Sequence, residues 1–524
     1  MAPSSAGLRK SVRANMFLEL DDNGPRYLQL ARALKQAILD GRCAPATRLP
    51  ATRVLANELA LSRNTVLAAY EQLAAEGFIE GRVGSGCYVA AFGTARVALS
   101  QAQTRTVAAT PRRSELARRG RRALDVYDHS IPGRQHRGLR YNLQYGLPMT
   151  NPQLVSAWRR ELNFAATHAQ TDYPDAQGVL ALREQVCAYL ARRRGIVASA
   201  DDVLIVSGTQ QAFALCADVL LDDAERVVLE NPHYQGARQL FESRGARVRT
   251  CPVDENGMVV DALPKRGNVR MVLVTPSHQF PTGAVLSLAR RVQLLDWART
   301  RGSWLIEDDY DGEFRYKARP LAALKSLDRA DRVIYIGTFS KVLFPSLRLG
   351  YVVMPTGLRQ AFVAAKWLND RGCPAIEQNA LARLIASGAF ERHLRQAAQA
   401  LKARRATLLM ELQRHADDAV YVADSSAGMH IVAWLTQLDH AQAKTLVENA
   451  HERGLGLYLV APYCLKPLPR PGLLLGYADM PPADLRAAMG ILGECLRALP
   501  RPSRVATRQS DRVALQSRRD DQIS

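Results

Sequence analysis

Near the N-terminus, hydrophobic residues recur with the spacing of three short helices. Apolar positions in residues 27–40 fall three or four apart, and Gly41 ends this run. A second amphipathic stretch covers residues 52–60, and a third runs from residue 64 to residue 76, before Gly77. The pattern therefore predicts three helices, with a tight turn between the last two.

Two short β-rich runs follow the third helix. Residues 78–80 and 87–89 match strands, and the connection between them contains Gly81, Gly84 and Gly86. A glycine-rich connection of this kind favours a hairpin tip. Three helices followed by a hairpin predict an α+β winged helix-turn-helix domain over residues 17–90.

Beyond residue 140, apolar runs rich in β-formers alternate with helical stretches. This alternation is typical of an α/β domain whose mainly parallel sheet has helices on both faces, and we expect it over residues 141–500. The predicted strands are residues 203–207, 227–230, 271–275, 304–307, 333–336 and 349–354.

The segments outside these two domains lack sustained periodicity. Residues 91–140 are rich in Ala, Arg, Ser, Thr and Pro, which predicts an interdomain linker with room for a short helix. Residues 501–524 are polar and charged, which predicts a disordered tail.

The net charge of +20 favours a polyanionic partner, and nucleic acid is the commonest one in a cytoplasm. Much of the excess lies in the linker, which is consistent either with a solvated, self-repelling segment or with an arm that contacts phosphates. The arginines concerned are Arg112, Arg113, Arg118, Arg119, Arg121, Arg122, Arg134, Arg137 and Arg140.

Cysteine usage and hydropathy exclude several classes of protein. The eight cysteines are scattered, without the close pairs that hold zinc or perform redox chemistry. The first 20 residues lack the apolar core of a signal peptide, and no later run could span a bilayer. These features predict a cytoplasmic protein with reduced thiols and no membrane partner.

The start of the third helix carries residue types that read DNA. Ser62 is suited to cap this helix, which places Arg63, Asn64 and Thr65 at the end that enters the major groove in helix-turn-helix proteins. Arginine can bond guanine, asparagine matches adenine, and the hydroxyls of Ser62 and Thr65 suit phosphates. Double-stranded DNA is the predicted partner.

A lysine and an arginine stand where an α/β sheet places its ligands. Lys341 follows the predicted strand 333–336, and Arg348 could return a forked cation to the same place to clamp a phosphate. A Schiff-base lysine beside a phosphate site is what pyridoxal 5'-phosphate (PLP) requires.

Two further strand ends add to this constellation. Residues 207–210 (SGTQ) join a strand to a helix and could hold phosphate on a helix N-terminus. The acidic residues 307–311 (EDDYD) end another strand, and a carboxylate there could pair with a protonated pyridine nitrogen. The alternatives for these acidic residues are a metal-binding cluster and a solvated loop. The segment lacks both a glycine-spaced calcium loop and nearby paired histidines, so no metal is predicted.

The N-terminal segments 49–56 (LPATRVLA), 61–66 (LSRNTV) and 73–79 (LAAEGFI) resemble the GntR-type winged-helix domain. The resemblance implies that Arg53 contacts phosphate and that the reading residues sit in the major groove. It also implies that Gly84 and Gly86 let the wing reach the minor groove. The major-groove residues by this resemblance are Ser62, Arg63, Asn64 and Thr65.

The C-terminal part resembles fold-type I aminotransferases. The motifs that carry the resemblance are 173–178 (YPDAQG), 207–209 (SGT), 231–234 (NPHY), 275–283 (TPSHQFPTG), 307–310 (EDDY) and 340–348 (SKVLFPSLR). Joined to the winged helix, this part makes the chain similar to the MocR/GabR family of PLP-dependent bacterial regulators.

The resemblance also implies individual roles. Lys341 forms the Schiff base, Asp308 pairs with the pyridine nitrogen and Tyr310 bonds the phenolic oxygen. Tyr234 stacks on the ring, and Tyr173 reaches in from the neighbouring subunit of a head-to-tail homodimer. The phosphate is held by Gly208, Thr209, Thr338 and Arg348.

The sequence departs from the aminotransferase pattern at two places. Aminotransferases have an asparagine before Pro-Thr-Gly that bonds the phenolic oxygen, whereas here Phe280 stands there, and His278 or Gln279 could substitute. Aminotransferases also carry an arginine that binds the substrate carboxylate, but the matching residues 473–478 read LLLGYA. Because a misplaced substrate reacts slowly, this loss favours sensing over efficient transamination.

The leading hypothesis is a transcriptional regulator in which a small amine, an amino acid or PLP itself occupies the Lys341 site and changes the arrangement of two winged helices. One alternative is a working PLP-dependent aminotransferase with an appended DNA-binding domain. Another is a repressor whose aminotransferase-like domain is only a dimerisation scaffold.

Overall fold

The computed structural model describes residues 18–82, 84–91, 116–127, 136, 138–169, 172–316, 321–423 and 427–500. By its internal contacts the chain divides into two compact units, Met1–Glu115 and Leu116–Ser524. The tail predicted at residues 501–524 lies outside the described residues, as does most of the segment predicted as a linker.

The first unit contains the predicted helices and hairpin. Its elements are α1 (Arg26–Leu39), α2 (Thr52–Glu58), α3 (Arg63–Ala75), β1 (Ile79–Arg82) and β2 (Gly86–Val89). The second helix ends two residues earlier than predicted, because Leu59 leaves helical geometry and Ala60 adopts a φ of 52°. The two strands pair antiparallel from Ile79–Val89 to Arg82–Gly86, so the hairpin tip is shorter than the sequence pattern indicates.

Apolar stripes on the three helices meet in one core. Leu30 and Leu34 of α1 and Val66 and Leu73 of α3 are fully buried together. Each such side chain stabilises the fold by roughly 1.5–3 kcal/mol. This small core holds α3 against α1 and leaves the N-terminal end of α3 at the surface.

The second unit is the α/β domain. Its helices are α4 (Arg118–Val126), α5 (Pro152–Thr167), α6 (Leu180–Arg194), α7 (Thr209–Leu220), α8 (Gln235–Ser243), α9 (Leu288–Arg301), α10 (Leu324–Leu327), α11 (Arg359–Asp370), α12 (Ala375–Ala386), α13 (Ala389–Ala416), α14 (His440–Glu452) and α15 (Pro482–Ala498). No helix in the described part of the chain is long and apolar enough to cross a membrane.

The strands of this unit are β3 (Tyr141–Asn142), β4 (Val203–Val206), β5 (Arg226–Asn231), β6 (Arg247–Asp254), β7 (Gly257–Met258), β8 (Met271–Val274), β9 (Trp304–Asp309), β10 (Val333–Thr338), β11 (Gly350–Val353), β12 (Val420–Val422), β13 (His430–Leu435), β14 (Leu455–Gly456), β15 (Tyr458–Leu459) and β16 (Gly472–Gly476). All six strands predicted from the apolar runs are present, within two residues of the predicted bounds.

Eight strands form the central sheet, in the order β4-β11-β10-β9-β8-β5-β6-β7. The pairs from β10 to β6 are parallel, whereas β11 runs antiparallel to both of its neighbours and β7 is antiparallel to β6. Three buried clusters cover the faces of this sheet. The mainly parallel α/β fold predicted from the sequence is therefore confirmed.

A smaller four-stranded sheet, ordered β12-β13-β16-β15, is packed with α13, α14 and α15. Side chains alternate across β16: Leu473 and Leu475 lie in the main core, while Leu474 lies in a separate aromatic cluster. This alternation decides which side chain of β16 faces the site described below.

Candidate functional site

The start of α3 forms an exposed polar surface. Ser62 caps the helix, as predicted, since its Oγ accepts a hydrogen bond of 3.0 Å from the backbone amide of Thr65. The Ser62 and Thr65 hydroxyls lie 2.8 Å apart. Arg63 and Asn64 are exposed at the first turn, as is Arg53 on α2. The guanidinium groups of Arg53 and Arg63 and the amide of Asn64 are therefore accessible from solvent. Ser62 stabilises the start of the helix that carries two of these residues.

The wing carries cations that the sequence reading did not single out. Gly84 and Gly86 have φ of 71° and 102°, which favours glycine at both positions. A Cβ atom on Gly86 would lie 3.1 Å from the Arg48 side chain, and the guanidinium of Arg82 lies 4.6 Å from the centre of the Tyr88 ring. Two arginines therefore accompany the glycines predicted to reach the minor groove.

In the second unit, strand ends converge on a cavity of about 740 Å³. Seven of the ten predicted cofactor residues line it: Lys341, Asp308, Tyr310, Tyr234, Thr209, Thr338 and Arg348. Among the other three, Gly208 adjoins Arg348, His278 lies behind Tyr310, and Tyr173 is 86% exposed and is not among the described lining residues.

Lys341 projects into the cavity from the loop after β10. Its Nζ donates a hydrogen bond of 3.0 Å to the carbonyl oxygen of Gly146. A Cβ atom on Gly146 would lie 2.5 Å from this Nζ, so glycine is required for the close approach. Burial lowers the pKa of the lysine although Asp311 and Asp308 oppose the shift, and a lower pKa favours the neutral, nucleophilic amine.

Asp308 faces the same cavity from near the end of β9. Its Oδ1 atom is buried without a hydrogen-bond partner. Burial, reinforced by the neighbouring Asp309, raises the pKa of the Asp308 carboxyl to about 8. The unpaired oxygen and the raised pKa both indicate a carboxylate that would gain from a cationic hydrogen-bond donor in the cavity.

Groups of the kind that bind phosphate also contribute to the cavity. Gly208, with a φ of 85°, precedes α7, and a Cβ atom there would lie 3.0 Å from the Arg348 guanidinium. Arg348 itself has a φ of 51° and donates a hydrogen bond of 2.7 Å to the Ser207 carbonyl oxygen. The buried hydroxyl of Ser340 has no partner. A helix N-terminus, a guanidinium and an unpaired hydroxyl can together bind a phosphate.

The two candidates for the missing asparagine have different surroundings. His278 Nδ1 lies 3.0 Å from the Tyr310 hydroxyl and 2.9 Å from the Asp311 carboxylate. The Gln279 amide instead donates to the carbonyl oxygens of Pro232 and Phe280, at 2.9 and 2.6 Å. Of the two, His278 is therefore the one placed to act on the cavity, through Tyr310.

Three aromatic residues that the sequence reading did not assign to the site form one wall of the cavity: Tyr145, Phe280 and Tyr463. Their ring centres lie 5.3–5.8 Å apart, and both Tyr145 and Phe280 lie nearly perpendicular to Tyr463. We call these three residues the aromatic wall. The sequence does not show that these three residues are neighbours, because their segments meet only through tertiary packing.

Helix α4 borders the cavity within the segment predicted as a linker. Ala123, Val126 and Tyr127 contribute to the lining, as do residues of the adjacent helix α8. Arginines of α4 pair with two aspartates near the end of α7: Arg118 and Arg122 each lie 2.8 Å from Asp223, and Arg119 lies 2.9 Å from Asp218. These three arginines thus form ion pairs within the protein, whereas the sequence analysis considered only solvent and phosphate as their partners.

Family models match both parts of the chain. Residues 26–89 match "Bacterial regulatory proteins, gntR family", and residues 142–492 match "Aminotransferase class I and II". The two matches coincide with the winged helix and with most of the α/β domain.

Curated relatives match most of the chain. The chain is 33% identical to the probable rhizopine catabolism regulatory protein MocR of Rhizobium meliloti, over 92% of this chain and 96% of the relative. It is 32% identical to the HTH-type pyridoxine biosynthesis transcriptional regulator PdxR of Corynebacterium glutamicum, over 72% and 77% of the two chains.

Among solved structures, the α/β domain is similar to LysN, an α-aminoadipate aminotransferase from Thermus thermophilus crystallised with N-(5'-phosphopyridoxyl)-L-leucine. The TM-score is 0.64 at 27% identity, covering 73% of this chain and 97% of the enzyme.

Proposed function

This chain belongs to the MocR family of transcriptional regulators, and we propose that its aminotransferase-like domain binds PLP through Lys341 and senses a small amine there. The observation that carries the proposal is the convergence of Lys341, Asp308 and the phosphate-binding groups on one cavity. PLP supplies an aldehyde that condenses with primary amines and a ring that withdraws electrons.

The described residues fit this cofactor at four points. Asp308 offers an unpaired buried oxygen to the pyridine nitrogen. Ser340 offers an unpaired buried hydroxyl in a lining that it shares with Arg348 and with Thr209 at the N-terminus of α7, and we place the phosphate there. Lys341 offers an amine whose lowered pKa suits Schiff-base formation. Tyr310 also lines the cavity, and its hydroxyl lies 3.0 Å from Nδ1 of His278.

We further propose that the domain senses amines rather than turning them over efficiently. Apart from Lys341, Arg348 is the only lysine or arginine among the described residues that line the cavity, and it lies at the phosphate side. Without a second guanidinium, an amino-acid substrate lacks the clamp that orients it for proton transfer. The retained lysine, aspartate and tyrosine favour the alternative, a working aminotransferase with a DNA-binding domain.

Helix α4 provides a route by which occupancy could be transmitted. It lines the cavity at Val126 and Tyr127, and it is joined at its N-terminal side to the segment that leads from the winged helix. An effector that binds more tightly when α4 is in one position increases the fraction of molecules with α4 in that position. A head-to-tail homodimer, with Tyr173 contributed to the neighbouring cavity and two winged helices on DNA half-sites, completes the proposal.

The test is the visible absorption of the purified full-length protein, before and after addition of amines and then of a keto acid. We expect a cofactor band that an effector amine changes once, without sustained keto-acid production. Sustained turnover would establish the aminotransferase instead, and absence of a band would refute cofactor binding.

The matched variants are Lys341→Ala and Lys402→Ala, the latter an exposed lysine on α13. Lys341→Ala should abolish the band and the mass increase after borohydride reduction, and it should remove the transcriptional response to the amine. Lys402→Ala should retain all three properties. A normal promoter response from Lys341→Ala would favour the dimerisation-scaffold alternative.

A further inference from the structure

The chemistry of the aromatic wall bears on which amines the site accepts. Tyr145 precedes Gly146, whose carbonyl oxygen accepts the hydrogen bond from Lys341 Nζ. Phe280 lies 5.8 Å from Tyr310 between ring centres, almost perpendicular to it. The aromatic wall is therefore next to the reactive amine, where the body of a bound effector would extend.

The hydroxyls of the aromatic wall are already engaged. Those of Tyr145 and Tyr463 form a short hydrogen bond with each other. Burial raises the pKa of both phenols, that of Tyr145 to about 12, so neither carries a charge near neutral pH. The aromatic wall consequently offers ring surfaces rather than ionic groups to a ligand.

Leu474 backs the aromatic wall at the strand that matches the carboxylate-binding strand of aminotransferases. It is fully buried, in a cluster with Phe280, Tyr463 and Tyr458. Its neighbours Leu473 and Leu475 lie in the main core on the other face of the sheet. Leu474 is thus the β16 side chain that faces the place where a carboxylate clamp would have to stand.

The charged residues of the described lining also leave the aromatic wall without a cation. Arg348 is held at the Ser207 carbonyl oxygen by a hydrogen bond of 2.7 Å, on the phosphate side of the cavity. A carboxylate beside the aromatic wall would lose its hydration without gaining a cationic partner, which is strongly unfavourable. An apolar or aromatic group there would gain burial and edge-to-face contacts.

We propose that the effector is a primary amine without a carboxylate, whose apolar or aromatic body packs on Tyr145, Phe280 and Tyr463. This inference rests on the proposed function, because the amine group is taken to react at the Lys341 site. It deepens that function by naming the class of ligand.

The test titrates the cofactor-loaded full-length protein with three probes and follows the visible absorption, with calorimetry as a second readout. The probes are 2-phenylethylamine, L-phenylalanine, which adds one carboxylate, and methylamine, which lacks the ring. We expect 2-phenylethylamine to half-saturate at a concentration at least about tenfold lower than either of the others, a difference of about 1.4 kcal/mol. Equal or tighter binding of phenylalanine or methylamine would overturn the inference.

Variants of the aromatic wall make the test specific. Tyr463→Ala should raise the half-saturating concentration of 2-phenylethylamine about tenfold while leaving that of methylamine within twofold. Tyr463→Phe, which keeps the ring, should retain the preference for 2-phenylethylamine over methylamine. An equal effect of Tyr463→Ala on both amines would contradict a role for the ring.

Leu474→Arg should reduce the preference for 2-phenylethylamine over phenylalanine, because it places a cation behind the aromatic wall. If that variant does not fold, Phe280→Leu, which keeps an apolar wall but removes a ring, should still favour 2-phenylethylamine over phenylalanine. A cofactor band without discrimination among the probes overturns only this inference, whereas a missing band overturns the proposed function as well.

Discussion

The hydroxyl of Tyr310 lies 3.0 Å from Nδ1 of His278, and the same Nδ1 lies 2.9 Å from a carboxylate oxygen of Asp311. A carboxylate at this distance places the ring proton on Nδ1, where the Tyr310 oxygen can also accept it. The hydroxyl hydrogen of Tyr310 is then available to the cavity. His278 and Asp311 thus orient the Tyr310 hydroxyl as a hydrogen-bond donor. In aminotransferases an asparagine, at the position of Phe280 here, acts beside this tyrosine.

This arrangement predicts a spectroscopic effect of His278→Ala. Weaker donation from Tyr310 to the phenolic oxygen of bound PLP destabilises the more anionic form of the cofactor. The pH midpoint of its visible absorption should therefore rise by about one unit, equivalent to about 1.4 kcal/mol. Tyr310→Phe should move the midpoint in the same direction and at least as far. If both variants titrate like the wild type, Tyr310 does not contact the phenolic oxygen.

A second prediction concerns Asp308 and pH. Burial raises the pKa of its carboxyl from 3.8 to about 8. Because the folded protein holds this proton more tightly than the unfolded chain, the stabilising contribution is complete below pH 3.8 and is lost as the pH rises to about 8. In the cofactor-free protein, Asp308→Asn should therefore gain stability relative to the wild type from pH 5 to pH 8.

The measurement is thermal unfolding of both cofactor-free proteins across that range. Asp308→Asn should also weaken PLP binding, because an amide cannot neutralise a protonated pyridine nitrogen. A stability difference that stays constant with pH would show that the Asp308 carboxyl titrates near its ordinary value.

Two arginines of the winged helix should differ in their effects on DNA binding. We propose that Arg63 reads a base, so Arg63→Ala should weaken operator binding by about 10- to 100-fold and relax the preference at one base pair. Arg53→Ala should instead weaken binding to all sequences alike and reduce the salt dependence by about one phosphate contact.

Titration of each variant with operator and scrambled duplexes at several salt concentrations separates these outcomes, with PLP absorption as the control for folding. Retained discrimination by Arg63→Ala at moderate salt would refute the major-groove assignment.

The ion pairs of α4 predict that Asp223→Asn loosens this helix. Arg122 and Arg118 both donate to the Asp223 carboxylate, and their hydrogen bonds lower its pKa to about 2. Hydrogen exchange of residues 118–126 should become faster in the variant, and the response to the effector should change. Exposed pairs are screened by salt, so the wild type should approach the variant at high ionic strength.

The neighbouring Asp222→Asn is the matched control, since it removes an exposed carboxylate that forms no described ion pair with α4. If exchange in α4 and the effector response are the same in Asp223→Asn as in Asp222→Asn, the helix does not depend on these pairs.

Local patterns in the sequence were enough for the winged helix and for six of the eight strands of the central sheet. The Ser62 cap and the six predicted strands of the central sheet appear where the apolar periodicity and the capping residue indicate them. Such features depend on neighbours along the chain, whose spacing is visible in the sequence. The ordered motifs likewise indicated the family and the residues around Lys341.

The composition of the aromatic wall and the docking of α4 were decided by tertiary packing. Tyr145, Phe280 and Tyr463 come from segments more than 100 residues apart, and no periodicity links them. The linker arginines could equally have been solvated or bound to phosphate until Asp218 and Asp223 were found beside them. The sequence by itself determined the winged helix, six strands of the central sheet, the family and the candidate lysine Lys341, because these follow from local pattern and ordered motifs. Only the tertiary structure decided what surrounds that lysine, because contacts between distant segments depend on how the sheet and helices pack.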